Sequence, residues 1–555
     1  MDAAELQVLA GALHAICEEM GAVLIRAAHS PNIKERRDAS TALFDAGGEM
    51  VMQAEHIPVH LGAMGAAVRA VLESEHAPGR SWILNDPYRG GTHLPDITVI
   101  TPVFAAPARA LVARDGSNRR LAPVRSISSR PIAFAASRAH HADVGGPTPG
   151  SMPADSRTLA DEGVVIEPRV LDEATLVALS ELMRAPEQRR ADLRAQLAAC
   201  RVGAVRVAAL AERIGVETLL GAFDAVLDYA ERRTRACLAA LDDGVRRARD
   251  VLEAREGDLP IELAAAIDGD HLTLDFTGTA PQHAGNLNCP LAVTHSACCF
   301  ALRVLTDPDI PANAGTYRPL TVIAPEGSLL NARASTGGAG GAPAVAGGNV
   351  ETSSRIADVV LAAFGRALGQ GTMNNLTLGD ERVTYYETLG GGQGACADGD
   401  GPSAVHVAMS NTLNTPVEAL ELELPLRVTE YSLRRGSGGA GAFRGGDGVV
   451  RELEALAPLR FSLITERRRH APPGAAGGKP GAPGRNLLDG VQLDAKATGS
   501  LAPGQRLRIE TPGGGGHGTP RAPAERSQRD RRSDLPTPAE RSKRGPRPDP
   551  PSSPA

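Results

Sequence analysis

Two short glycine-rich loops, each joined to an apolar strand pattern, constrain the fold of this chain more than any other feature. The stretch GGTHLPDITVI holds His93 and Asp96 in a kinked loop directly before an apolar alternation. The stretch AHHADVGGPTPGSMP brings His140, His141 and Asp143 to the end of another apolar segment. If the two strands are neighbours in one sheet, both loops meet at the same edge of that sheet.

These residue types are the ligands that transition metals prefer. Neutral imidazole and carboxylate together suit Mn, Fe, Zn or Co better than Ca or Mg. His93 and Asp96 alone do not complete a site, so a third ligand has to come from elsewhere, and the second loop offers His140 or His141. The alternative is that His93 and Asp96 cap each other and the start of the strand. We expect both of them in a surface loop.

Three further residues are candidates for catalysis. His56 and His60 in AEHIPVHLGAM are four positions apart around a proline, so they can share a helix face or line one pocket. The alternative for this pair is one structural and one exposed histidine. Asp38 lies in the charged stretch KERRDAS, a pattern that is more often typical of a solvated loop.

Hydrophobic periodicity predicts a mixed chain of the α+β class with a multi-layer, β-rich core. Apolar residues recur at three- and four-residue spacing over 3–28, and 172–251 looks helical nearly throughout, within a helical subregion 171–255. Short strand patterns and glycine-rich turns fill most of 381–512. We expect a single domain over 1–518.

Three segments differ in composition from the rest. Residues 107–130 are basic, carry Pro and Ser and lack periodicity, so we interpret them as a surface insertion between two strands. Residues 336–343 (TGGAGGAP) look like a second insertion. Residues 519–555 contain many prolines and charges and one large aliphatic side chain, Leu535, so we expect a disordered tail.

Composition narrows the possible function classes. Aromatic residues make up 3% of the 555, so the core consists mostly of Ala, Val, Leu and Ile, and the net charge of −6 gives no reason to expect nucleic acid as a partner. The seven cysteines are odd in number and form no C-x-x-C, which is typical of reduced, intracellular thiols. No run of about 18 apolar residues and no basic signal-peptide start occurs, so we expect a cytoplasmic protein.

The chain has no convincing nucleotide-binding motif of its own. GSGGAG at 436–441 matches G-x-G-x-x-G, but the residues after it do not open a helix, as a Rossmann site requires. GAAGGKP is too short for a phosphate-binding P-loop, and no G-x-S-x-G nucleophile elbow occurs. We therefore expect that the chain does not bind ATP alone.

Several long segments together resemble the hydantoinase B/oxoprolinase family. The matches run in family order from about residue 3 to 518. They include SPNIKERRDASTALFDAGGEMVMQAEHIPVHLGAM, ILNDPYRGGTHLPDITVITPVF, SRAHHADVGGPTPGSMP, AGGNVETSSRIADVV, YYETLGGGQGA and RVTEYSLRRGSGGAGAFRGGDGVVREL.

The resemblance implies a B-type catalytic subunit of an ATP-dependent cyclic-amide hydrolase, which opens a 5-oxoproline or hydantoin ring. Its partner is an A-type ATPase subunit that binds ATP and phosphorylates the amide oxygen of the ring. The resemblance also implies a divalent metal (Mn, Fe or Zn) on His93, Asp96 and either His140 or His141. Asp143 is then a fourth ligand or a residue that orients the imidazoles. The alternatives are the metal-bearing subunit of an ATP-dependent ketone carboxylase, or a non-catalytic scaffold for the A-type subunit.

Overall fold

The computed structural model describes residues 1–54, 57–105, 130–334 and 341–520, and in them helices and four sheets form the expected α+β fold. The helices are α1 (Ala3–Ala27), α2 (Pro31–Lys34), α3 (Met64–Arg69), α4 (Glu173–Ser180), α5 (Pro186–Ile214), α6 (Val216–Leu238), α7 (Leu291–Leu305), α8 (Ala314–Tyr317), α9 (Ser353–Ala363) and α10 (Val417–Glu423). The strands are β1 (Ala39–Asp45), β2 (Met50–Ala54), β3 (Ser81–Leu84), β4 (Asp96–Val103), β5 (Ala133–His140), β6 (Arg169–Leu171), β7 (Gly244–Ala254), β8 (Gly257–Asp268), β9 (His271–Asp275), β10 (Leu320–Ile323), β11 (Asn375–Gly379), β12 (Thr384–Glu387), β13 (Leu426–Arg434), β14 (Gly448–Ala455), β15 (Leu459–Ile464), β16 (Arg485–Leu488), β17 (Val491–Leu493), β18 (Lys496–Leu501) and β19 (Arg506–Glu510).

The first sheet contains the two strands that carry the His/Asp loops. Its order is β2-β1-β5-β4-β3-β6, and each strand is antiparallel to its neighbours. β4 and β5 pair directly, and Asp96 at the start of β4 lies opposite His140 at the end of β5. The expectation that both loops meet at one edge is therefore confirmed.

Helices cover both faces of this sheet. α1 and α5 pack on one face and α3 packs on the other, so that β4 and β5 are buried at every position. α5 comes close to α1 and to β5 at Gly203, where a Cβ atom would lie 2.3 Å from Sδ of Met20 and 3.1 Å from Cβ of Ala135. The absence of a side chain at Gly203 thus sets how closely α5 approaches the sheet.

The remaining strands form three further sheets. β10-β9-β8-β7 packs against α9, and its apolar residues join those of α7 and α9 in one large cluster. The other two sheets, β12-β11-β15-β18 and β13-β14-β19-β16-β17, are antiparallel throughout and share a second cluster. β12 is tied to the first sheet by Arg36, which lies shortly before β1. Its guanidinium donates hydrogen bonds to the carbonyl of Tyr386 and to Oγ1 of Thr388.

The prediction of a helical segment over 172–251 is right for α4, α5 and α6 and wrong at its end, where residues 244–254 form β7. The sequence GVRRARDVLEA is rich in Arg, Ala, Leu and Glu, which favour helices. Pairing with β8 along the whole length of the strand outweighs that local preference.

Other expectations fall on residues outside the described ranges. These are His56, the insertion at 107–130 except its last residue, the first five residues of 336–343, and the tail 519–555 beyond its second residue. The boundaries of the expected domain stay a prediction.

One described helix, α1, is long and apolar enough to have the composition of a membrane-spanning helix. Its buried side chains include Leu13, Met20 and Leu24, which pack in the same cluster as residues of β1 and α5. The helix is apolar on average although it contains no unbroken run of 18 apolar residues, because a few charged residues are spread along it.

We expect Gly203→Val to destabilise the fold, because the new side chain would overlap Met20 and Ala135 in a closely packed core. Overpacking of this kind costs about 1–3 kcal/mol. Gly221→Val on α6 is the matched control, because nothing lies within 4 Å of a Cβ atom at that exposed helical position. Chemical denaturation should show a clearly larger loss for Gly203→Val. Equal losses would mean that α5 does not pack at Gly203 as described.

Candidate metal centre

Backbone constraints hold the loop before β4 in one conformation. Gly90 has φ +100°, and a Cβ atom on Gly91 would lie 2.2 Å from the carbonyl oxygen of Asn85, so both positions require glycine. The side chain of Asn85 donates a hydrogen bond to the carbonyl of Leu94 at 2.8 Å. Arg138 of β5 donates to the carbonyl of Gly90 at 3.0 Å. The loop is thus tied to the strand that carries the second histidine.

His93, Asp96 and His140 come together at the edge of the sheet. Asp96 Oδ1 lies 3.0 Å from His93 Nε2 and 3.2 Å from His140 Nδ1, and the two ring nitrogens lie 3.2 Å apart. All three side chains are buried, so the expectation of a surface loop is wrong. The loop is covered because Leu94 and Ile97 pack in one apolar cluster with Ile83 of β3 and with Val144 after β5.

This triangle of ligand atoms has the dimensions of a metal site. Two atoms bound to one first-row divalent ion at about 2.0–2.2 Å are roughly 3–3.5 Å apart. The three observed separations lie in that range, and two imidazoles with one carboxylate are a donor set that suits Mn, Fe or Zn. His93, Asp96 and His140 can therefore hold a divalent metal ion.

The second carboxylate oxygen of Asp96 has its own partners. Thr92 Oγ1 donates a hydrogen bond to Asp96 Oδ2 at 2.7 Å, and Nε2 of His60 lies 3.6 Å from the same oxygen. Burial alone would raise the pKa of Asp96, but the three histidines beside it, His93 foremost, hold that pKa well below its usual range. The carboxylate is therefore ionised, as a metal ligand has to be.

Burial also keeps the neighbouring imidazoles neutral. Desolvation lowers the pKa of His140 and of His60, and the nearby carboxylate of Asp96 only partly opposes this effect. Nδ1 of His60 lies 2.9 Å from Oγ of Ser40. A neutral imidazole keeps the lone pair through which it binds a metal.

Asp38 and His60 lie beside this centre, and both are buried, so the alternative of a solvated loop for Asp38 is wrong. Asp38 lines a small cavity together with Asp96 and His140. The cavity has a volume of about 20 Å³, which is enough for roughly one water molecule. Burial raises the pKa of Asp38, with His140 and Arg36 acting in the opposite direction. A second carboxyl group is thus present on the wall of the same cavity.

The structure places His141 and Asp143 away from the centre. Nε2 of His141 lies 2.9 Å from Oε1 of Gln196 on α5, and burial lowers the pKa of this histidine to about 4. Asp143 accepts hydrogen bonds from the backbone N–H groups of Gly145 and Gly150 and from the side chain of Arg184. Because side chains alternate at the end of a strand, His140 and His141 point in opposite directions.

Sequence reasoning missed Tyr386, although the segment YYETLGGGQGA was among those singled out. Its ring stacks on His140 with centroids 4.2 Å apart, and the guanidinium carbon of Arg36 lies 4.8 Å from the centre of the same ring. Nε2 of His140 and Nδ1 of His93 have no hydrogen-bond partner among the described residues. The stacking of Tyr386 therefore holds the ring of His140 in place, since Nε2 of that ring is not held by a hydrogen bond to a described residue.

Comparisons with a family model and with a curated relative indicate the same family for this chain. A family model described as hydantoinase B/oxoprolinase matches residues 2–520. The 5-oxoprolinase 1 of Arabidopsis thaliana is 38% identical over 558 residues, which cover 93% of this chain and 42% of the plant protein. The chain thus spans about two fifths of the length of that relative.

Two solved structures share the fold. The ATP-dependent caprolactamase from Pseudomonas jessenii has a TM-score of 0.83 at 27% identity, covering 96% of this chain and 93% of its own. An acetone carboxylase has a TM-score of 0.78 at 18% identity, covering 92% of this chain and 75% of its own. At that identity the second likeness concerns the fold alone.

We expect His140→Ala to lower the metal content of the purified protein by at least about tenfold, because it removes one of three ligands. His141→Ala is the matched control: the residue is adjacent, equally buried and also a histidine, but it faces Gln196. Elemental analysis after expression in medium with Mn, Fe and Zn measures the difference, and circular dichroism checks the fold. Loss of metal in His141→Ala with retention in His140→Ala would assign the ligand to the other ring.

Proposed function

The chain belongs to the hydantoinase B/oxoprolinase family, and we propose that it is the subunit that opens a cyclic amide after a separate ATPase subunit has activated the ring. The observation that carries this proposal is the buried triangle of His93 Nε2, Asp96 Oδ1 and His140 Nδ1. A relative named as a 5-oxoprolinase and a structural neighbour named as an ATP-dependent caprolactamase support it.

The proposed division of labour follows from what the chain contains. A ring amide is stabilised by resonance, and phosphorylation of its oxygen removes that resonance and makes the carbonyl carbon reactive towards water. The ring opens when the C–N bond then breaks and the nitrogen takes up a proton, and the acyl phosphate left on the carbon is hydrolysed to a carboxylate and phosphate. This chain has no P-loop and no glycine loop that opens a helix in the Rossmann manner. The plant relative is more than twice as long as the matched segment. We therefore propose that ATP is bound by an A-type partner subunit.

Within the centre, His93, Asp96 and His140 would hold the divalent metal ion. Such an ion supplies hydroxide near neutral pH and offsets negative charge that develops on oxygen during ring opening. Thr92 donates a hydrogen bond to the second oxygen of Asp96, so that the first oxygen stays directed at the two imidazoles.

Asp38 is the proposed acceptor for the proton of the attacking water. Asp38 lines the small cavity together with Asp96 and His140, and a water molecule fits into that cavity. Burial raises its pKa, so its carboxylate is a stronger base than that of an exposed aspartate. Of the other catalytic candidates, His60 lies 3.6 Å from Asp96, and a catalytic role for His60 or His56 stays a prediction from the sequence.

We also propose a cytoplasmic location. All seven cysteines are free, and five of them are buried, which fits a compartment where thiols stay reduced.

We expect Asp38→Asn to reduce turnover by about 100-fold or more with the metal retained, because an amide cannot accept the proton. Asp45→Asn, at the other end of β1, is the matched control: Asp45 accepts a hydrogen bond from the N–H of Glu49, which an asparagine oxygen also does. The assay uses the protein with its A-type ATPase subunit and follows ring opening and ADP release. Equal activity in Asp38→Asn and wild type would exclude Asp38 as the base.

The same assay separates the alternatives for the whole protein. Opening of 5-oxoproline or hydantoin supports a cyclic-amide hydrolase, whereas carboxylation of acetone with bicarbonate would replace that proposal by a ketone carboxylase. If His140→Ala retains full activity, the chain is a scaffold for its partner and the proposed centre is not catalytic.

A further inference from the structure

A cavity of about 830 Å³ lies next to the metal centre. Its walls come from the start of α5, from the loop after β5, from β12 and from α10. Cavities of 300–1,000 Å³ are typical of small-molecule sites. The volume therefore accommodates a ring compound of about ten non-hydrogen atoms with room for water.

Arg189 is the most unusual residue in the wall of this cavity. Its side chain is 1% exposed, and neither Nε nor Nη1 has a hydrogen-bond partner among the described residues. The third nitrogen, Nη2, donates to Oε1 of Gln188 and lies 3.7 Å from a carboxylate oxygen of Asp192. A buried guanidinium with two unpartnered nitrogens is costly, because their N–H groups lose water without gaining a partner.

The other buried lining atoms without a described partner are also able to donate. They are Nε of Arg184 and the hydroxyls of Thr384, Tyr385 and Thr415. Arg184 lies 3.8 Å from Glu381 through that nitrogen and donates to Asp143 through Nη1. None of these unpartnered atoms is a carboxylate or carbonyl oxygen. The carboxylates of the wall are exposed in Glu187 and Glu423 and already hydrogen-bonded in Asp143, so a ligand that pairs with the buried donors has to bring the acceptors.

Tyr386 connects this cavity to the metal centre. Its ring lines both the large cavity and the small one beside Asp38, and the same ring stacks on His140. Asn32 also lines the large cavity and donates a hydrogen bond to the carbonyl of His140 at 3.4 Å. Tyr386 and Asn32 thus link the wall of the large cavity to His140 of the centre.

We propose that this cavity binds a small molecule that carries a carboxylate, with Arg189 as its anchor. A carboxylate only accepts hydrogen bonds, and its bonds to a guanidinium are stronger than those between neutral groups. Binding at Arg189 does not depend on the proposed hydrolysis. The identification of the bound molecule with the ring substrate does rest on that proposed function.

Calorimetric titration of the purified full chain with three probes tests the proposal. L-5-oxoproline carries the carboxylate, 2-pyrrolidinone is the same ring without it, and inorganic phosphate represents the alternative anion. We expect 5-oxoproline to bind at least about tenfold more tightly than 2-pyrrolidinone, and Arg189→Met to remove that preference. Equal binding of the two rings, or an undiminished preference in Arg189→Met, overturns the proposal. Tighter binding of phosphate than of 5-oxoproline, lost in Arg189→Met, also overturns it and assigns the site to a phosphoryl group.

Two further variants keep the result interpretable if Arg189→Met does not fold. Ala191→Phe, one turn or less along α5, fills the cavity from a partly exposed position and should abolish binding of both rings. Unchanged binding of 5-oxoproline in Ala191→Phe contradicts the assignment to this cavity. His93→Ala removes a ligand of the metal centre, and we expect it to keep the preference for the carboxylate. If the preference persists while the complex opens no ring, the proposed function fails and the binding site stands.

Discussion

The direct pairing of β4 with β5 brings a carboxylate and two imidazoles to one buried point. Asp96 and His140 lie opposite each other in the antiparallel register, so a shift of one residue would turn one of them to the other face of the sheet. The register is secured because both faces of the sheet are buried under helices, which leaves no alternative alignment of the apolar residues. Gly91 then allows the loop to fold back against Asn85, and this close approach brings His93 to the same point.

The sequence indicates some of this arrangement and cannot indicate the rest. The apolar alternation after Asp96 and the glycines before it predict a loop at the start of a strand, and the similar pattern around His140 predicts its neighbour. The choice between His140 and His141 depends on the residue at which β5 ends, which periodicity does not determine. Tyr386 and Arg36 reach the centre from distant parts of the chain, through packing of β12 against the first sheet, so no local pattern could identify them. The burial of His93 depends on the same tertiary packing, and for that reason the expectation of a surface loop is wrong.

The centre and the neighbouring cavity differ in the charge that they offer to a ligand. The centre combines an ionised carboxylate with neutral imidazoles and therefore favours a cation. The cavity offers guanidinium N–H groups and hydroxyls and therefore favours an anion. Tyr386 belongs to the walls of both spaces. This arrangement fits the proposal that the protein holds a charged small molecule close to a metal ion.

X-ray diffraction from crystals grown with manganese, recorded where the anomalous signal of that metal is strong, tests the central claim most directly. The account predicts one anomalous peak per chain, about 2.0–2.3 Å from His93 Nε2, Asp96 Oδ1 and His140 Nδ1. Fully occupied metal at another position, or no peak there in crystals of protein that is active with its partner, would contradict it.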